Sequence, residues 1–149
     1  SMDKYFVFRL EDKRFGIPLQ HVREIIRPIE YTPVPEMDKF YKGVINLRGQ
    51  IITLIDLKTK LGIGDSEIVE NETCFVIFEV RSVEVAILVD EILDVESFDS
   101  QKVKKITDFK QTKFVDSIVR DADNRLIMIA DVEKLLEVKE IEKLKDIAS

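Results

Sequence analysis

Along Val44 to Leu47, and again along Ile51 to Ile55, apolar and mostly β-branched residues run almost without interruption around the polar turn Arg48-Gly49-Gln50. Such side chains suit a pleated surface, and Gly49 supplies the backbone freedom of a tight reversal. The segment therefore predicts a hairpin with Arg48 at its tip. Similar runs bounded by turn residues place strands over 4–10, 14–19, 22–28, 43–48 and 50–56, then over 73–80, 83–90, 92–96, 115–120 and 125–130. Asp56 and Asp131 each stand where an N-cap belongs, just before the short helical patterns Leu57 to Leu61 and Val132 to Leu136, and Gly62 ends the first of these. Leu135, Val138, Ile141, Leu144 and Ile147 recur near helical spacing, which predicts a C-terminal helix over about 131–148. Thr32-Pro33-Val34-Pro35 reads as a stiff extended connector.

The same plan occurs twice. Tyr5 to Phe8 and Phe15 to Ile25 align with Phe75 to Phe78 and Val85 to Val95 at a constant offset of 70. Gln50 to Leu57 aligns with Arg125 to Val132 at an offset of 75, the extra residues falling in the turn Asp121-Ala122-Asp123-Asn124. A repeat of this size implies a duplicated unit, and several short strands per unit is the pattern of a small barrel. Polar, turn-prone residues between 62 and 72 mark the unit boundary. The expectation is one domain over 1–149, with subdomain one over about 1–66, subdomain two over about 67–131, and the helix beyond. Val44-Ile45, Ile51-Ile52, Val85 to Val89 and Leu126 to Ala130 place neighbouring apolar residues on opposite strand faces, so both faces are expected to be dry. That predicts a third hydrophobic layer, between two barrels, and a single rigid body.

Composition narrows the chemistry. The chain has 149 residues, 29 acidic against 23 basic, and a formal net charge of −6. That balance opposes phosphate backbones, so neither nucleic-acid nor anionic-membrane binding is expected. No apolar run approaches the ~20 residues of a spanning helix, and the start lacks a signal-peptide pattern, Ser1 before Met2 reading as a tag scar. The expectation is a cytoplasmic protein, monomeric in isolation.

His21 has no second imidazole with which to share a metal, and Cys74, the single cysteine, reads as a buried, inert thiol. Asp56 and Asp131 fit capping better than a catalytic pair, and phosphate-cradling glycine motifs are missing. No enzymatic activity, metal or cofactor is expected. Arg48 remains: a guanidinium on a rigid hairpin tip is a planar hydrogen-bond fork suited to binding a partner, although a solvated turn arginine is an equal reading of the residue itself.

The pattern G-V-I-N-L-R-G-x-I-I-x-x-I-D-L, read from Gly43 to Leu57, resembles the signature of the CheW family, the adaptor proteins of bacterial chemotaxis. The V-x-E-I of Val22 to Ile25 and the Pro33-Val34-Pro35 connector extend the resemblance, which the second half carries more weakly through Val89 to Ile92 and Ile127 to Asp131. Thr53 departs from it, standing where the family often has proline. The resemblance implies a mainly β fold of two five-stranded SH3-like barrels sharing an apolar interface, with short capping helices and a C-terminal helix. It implies a non-catalytic adaptor that couples the cytoplasmic tip of methyl-accepting chemoreceptors to the regulatory domain of the histidine kinase CheA and scaffolds their arrays. It assigns receptor binding to Arg48, Glu24 and Val22, and kinase binding to Gly43. The alternatives are a module detached from a larger signalling protein, an acidic barrel that binds another ligand, and an enzyme of unknown type.

Overall fold

The computed structural model describes residues 1–106, 114–136 and 138–148, and in them β-strands dominate. The strands are β1 (Met2–Leu10), β2 (Lys13–Pro18), β3 (Val22–Ile26), β4 (Tyr41–Leu47), β5 (Gln50–Asp56), β6 (Cys74–Val80), β7 (Val83–Val89), β8 (Glu91–Asp99), β9 (Lys104–Lys105), β10 (Val115–Arg120) and β11 (Leu126–Ala130). Ten match predicted strands to within a few residues. The two-residue β9 was not expected, and it makes one sheet six-stranded where five were predicted.

Among the described residues there are two sheets, ordered β8-β1-β2-β11-β10-β9 and β3-β6-β7-β5-β4. Neither belongs to one half of the sequence. The first half sends its opening hairpin, β1-β2, into the sheet of the second half, and the second half sends β6-β7 into the sheet of the first. Division of the chain near residue 66 is thus a boundary between repeats and not between sheets. The exchange is near-symmetric. Val22 pairs with Phe78 as Ile92 pairs with Phe8, and the parallel pairs β5-β7 and β11-β2 weld the halves. Parallel strands are stable where both faces are covered, which the continuous apolar runs provide.

Those runs sort residue by residue into three layers. Phe6, Phe8, Val76, Phe78, Val85, Ile87 and Val89 point into one central cluster between the sheets. Their neighbours Phe75, Ile77, Ala86 and Leu88 fill the five-stranded sheet with Ile45, Ile52 and Leu54. Tyr5, Val7, Ile127 and Ile129 fill the six-stranded one. The expected third layer is present. At the hairpin tip one part of the expectation fails: Ile51 is 37% exposed and Val44 is only half-buried.

Two of the helices follow capping chemistry. In α1 (Leu57–Leu61) the Asp56 side chain accepts from Thr59 N–H, and Gly62, at φ 73°, closes the C-terminus in the left-handed conformation that glycine adopts without strain. In α2 (Val132–Leu135) Asp131 accepts from the N–H groups of Glu133 and Lys134. Leu136 is extended (φ −125°, ψ 115°), and α3 (Val138–Ala148) begins beyond it, so the predicted single C-terminal helix is two. The extended step allows Leu135 and Leu136, adjacent in sequence, both to bury in the central layer. Leu144 also buries there. Glu137 and the side chains of Val138, Ile141 and Ile147, which the helical spacing invoked, lie outside the described residues.

Lys58 of α1 pins the sheets together. Only 6% of its side chain is exposed, and its Nζ donates to Glu11 in the β1-β2 turn (2.9 Å) and to Asp90, where the chain passes from one sheet to the other (3.0 Å). Burial would weaken the ammonium, but the two carboxylates outweigh it and raise its pKa.

Candidate functional site

The β4-β5 reversal is a two-residue turn with positive φ at both central residues, 52° at Arg48 and 83° at Gly49, the geometry that matches the twist of a hairpin. Asn46 braces it by accepting from Gly49 N–H at 2.9 Å. The turn is therefore rigid, and it holds the Arg48 side chain 69% exposed.

Sheet topology decides what that side chain meets. β3 and β4 are the two ends of the five-stranded sheet, and curling brings them together: Thr32, beyond β3, exchanges two 2.8 Å backbone hydrogen bonds with Val44 of β4. Across the same seam Arg48 donates to both oxygens of Glu24, Nη1 to Oε1 at 3.0 Å and Nη2 to Oε2. This forked pair holds the Glu24 carboxyl below its ordinary pKa and raises that of the guanidinium, to which Glu84 adds a smaller effect. A second pair, Arg23 to Glu79 at 2.8 Å, lies nearby on β3 and β6. The surface is a stripe of alternating charge on a fixed frame.

Of the four residues singled out in the sequence, Arg48 and Glu24 are brought into contact. Val22 is not on their side. A β-bulge between Val22 and Glu24 breaks the alternation, so that Val22 pairs with Phe78 and leans on the central layer while Glu24 pairs with Ile77 and faces the other way. Gly43 is buried, at φ 151°, against the connector: a Cβ placed there would lie 2.1 Å from the Thr32 carbonyl oxygen and 2.9 Å from Pro33 Cα. Its surroundings are the protein's own backbone.

Sequence reasoning overlooked Ile25, 43% exposed beside Glu24, as well as the exposure of Ile51 three residues after Arg48. Their β-branched character was the same signal that marks core strands, and only tertiary burial distinguishes them. Ile25 pairs with Val76 and so lies, like Val22, on the strand face opposite Glu24, and Ile51 faces away from the core that holds Ile52, so their exposed apolar area is on the other side of the sheet from the ion pair.

Other candidates are structural in this setting. The Asp56 carboxylate is buried and accepts from Ser66 Oγ (2.7 Å), Ser66 N–H (2.9 Å) and Thr59 N–H (3.3 Å); burial raises its pKa, and these bonds more than offset that, leaving it lowered. His21 closes a short 3₁₀ turn, Leu19–His21. Cys74 is half-buried and not fully so, and burial pushes its thiol pKa up. Among the described residues no group of three or more His, Cys, Asp or Glu could hold a metal ion, and no helix is long and apolar enough to cross a membrane.

Known proteins resemble the chain along most of its length. The chemotaxis protein CheW of Bacillus subtilis is 31% identical over 91% of this chain and 87% of its own, and that of Thermotoga maritima is 30% identical over 87% and 85%. The crystal structure of the scaffolding protein TtCheW from Thermoanaerobacter tengcongensis superposes with a TM-score of 0.84 at 30% identity, covering 94% of this chain and 91% of that one. The sequence pattern of the CheW-like domain matches residues 4–140, and the chain belongs to that family.

Proposed function

We propose that this protein is a chemotaxis adaptor and scaffold, working in the cytoplasm, that joins a receptor to a histidine kinase by contact geometry and without catalysis. Relatives and a solved neighbour that bear the names chemotaxis protein and scaffolding protein support the role. The observation that carries the receptor assignment is the Arg48-Glu24 fork: an exposed guanidinium, already oriented by a carboxylate across a closed barrel seam, loses little freedom when a partner docks. Glu24 then acts by orienting Arg48. Val22 contributes through the packing beneath β3. The kinase partner is the regulatory domain of CheA, and Gly43 serves that contact indirectly by letting the Thr32-Pro33 segment lie close against β4. Three dry layers make the two sheets one body, so a displacement at one partner's surface reaches the other undamped.

The test mixes the protein with a receptor cytoplasmic hairpin fragment and a CheA regulatory domain and follows the ternary complex by size-exclusion chromatography. Arg48→Ala is expected to weaken the receptor arm roughly tenfold or more, with an unchanged urea midpoint. Undiminished receptor binding by the folded variant would overturn the assignment.

A further inference from the structure

Cross-strand register leaves one carboxylate uncompensated beside the Arg48-Glu24 fork. Glu79 and Glu84 are direct partners across the β6-β7 hairpin, on the strand face that, two residues away along each strand, sends Ile77 and Ala86 into the core of the five-stranded sheet. Glu24, paired with Ile77, shares that face. Three carboxylates thus meet at one rim of the curled sheet, and like charges set directly opposite one another repel. Two are answered, Glu79 by Arg23 and Glu24 by Arg48. Glu84, half-buried, has no hydrogen bond or ion pair among the described residues and reaches the Arg48 guanidinium only through its field. The fold does not itself require a carboxylate here. At the repeat offset of 70 the corresponding cross-strand partners are Arg9 and Arg14 of β1-β2, and there the pattern recurs with its sign reversed. Glu91 holds Arg9 at 3.0 Å, and Arg14 has no hydrogen bond or ion pair among the described residues.

We propose that Glu84 is a specificity-determining residue of the Arg48 surface, and that it receives a lysine or arginine side chain of the receptor docked there. The inference rests on the reading of Arg48 as a receptor contact and extends it to the charge of the partner. Glu24 occupies two of the five guanidinium N–H groups, so Arg48 keeps donors for an acceptor on the partner while its own charge is already balanced. Glu24, Glu79 and Glu84 stand against Arg23 and Arg48, and the one negative charge left over belongs to Glu84. A partner that covers this rim without a cation strips water from an unpaired carboxylate, which is costly; one that brings a cation regains the loss. Selection therefore works by penalty as much as by attraction.

Calorimetric titration of the full chain with the receptor cytoplasmic hairpin fragment tests this. At about 50 mM salt Glu84→Gln is expected to bind about fivefold more weakly than the parent, and Glu84→Lys about twentyfold or more, both with urea midpoints no lower than the parent's. At about 0.5 M salt the deficit of Glu84→Gln should shrink to about twofold. Glu72→Gln removes the same charge beyond the far end of β6 and should bind within about twofold of the parent. Equal weakening by Glu72→Gln and Glu84→Gln would reduce the effect to net charge, and a urea midpoint lowered by Glu84→Gln would make the residue structural; either overturns the proposal. Undiminished binding by Glu84→Gln beside weakened binding by Arg48→Ala overturns it and leaves the Arg48 reading standing, whereas undiminished binding by both variants removes the two together. Dimerisation of the unaltered chain that Arg14→Gln abolishes would give Glu84 to a second copy and likewise overturn it.

Discussion

Replacing Gly43 by alanine separates two ways in which that position could affect partner binding. The added Cβ would meet the Thr32 carbonyl oxygen at 2.1 Å, the carbonyl carbon at 2.6 Å and Pro33 Cα at 2.9 Å, all of them backbone atoms that no rotamer change can move. Ordinary contact requires the connector to retreat by about 1 Å, and that breaks the paired 2.8 Å hydrogen bonds between Thr32 and Val44. Two backbone bonds at about 1 kcal/mol each, with about 1–3 kcal/mol for a non-glycine residue at φ 151°, give a loss of about 3–5 kcal/mol. For a chain of this length the melting temperature should fall by about 6–20 °C. Scanning calorimetry measures that fall, and titration with the CheA regulatory domain measures affinity below the melting range. A variant that melts within about 2 °C of the parent yet loses kinase affinity would refute the steric reasoning and make Gly43 a direct contact.

Two further predictions concern stability. Lys58→Ala leaves the carboxylates of Asp90 and Glu11 facing each other at the sheet junction and should cost about 2–4 kcal/mol by urea unfolding, below the full cost for a buried pair because Glu11 is half exposed; a loss under about 1 kcal/mol would remove Lys58 from the account of rigidity. Asp56 sets a pH dependence. Its folded pKa lies below the unfolded value of 3.8, so its contribution is complete well above that value and disappears as the pH falls through the lower folded one. The stability curves of the parent and of Asp56→Asn, measured from pH 7 to pH 3, should therefore converge towards acid; parallel curves would contradict the lowered pKa.

Much of this molecule is written locally. β-Branched runs and the residues that interrupt them placed ten strands, because a strand's side-chain period and a turn's backbone needs act over two to eight neighbouring residues. Asp56, Asp131 and Gly62 announced helix ends for the same reason, since a cap answers N–H and C=O groups within one turn of itself. The absence of alternation in Val85 to Val89 even foretold a third apolar layer: a residue with no polar neighbour on either strand face has two dry sides.

Which surface dries each side was decided only by the tertiary structure. The repeats named equivalent strands, but nothing in them said that β1-β2 and β6-β7 would change places, because strand pairing is chosen by hydrogen bonding and burial between segments tens of residues apart. The candidate site shows the same division. Arg48 at a hairpin tip was legible from Gly49 and its flanks, whereas its bond to Glu24, 24 residues away, exists because the two end strands of a curled sheet meet. One bulged residue then set Val22 and Glu24 on opposite faces, and Ile51 lies in water while Ile52, on the other strand face, is dry in the core of its own sheet. Periodicity fixes how a strand presents its side chains; closure of the sheet, a sum over distant contacts, determines what each of them faces.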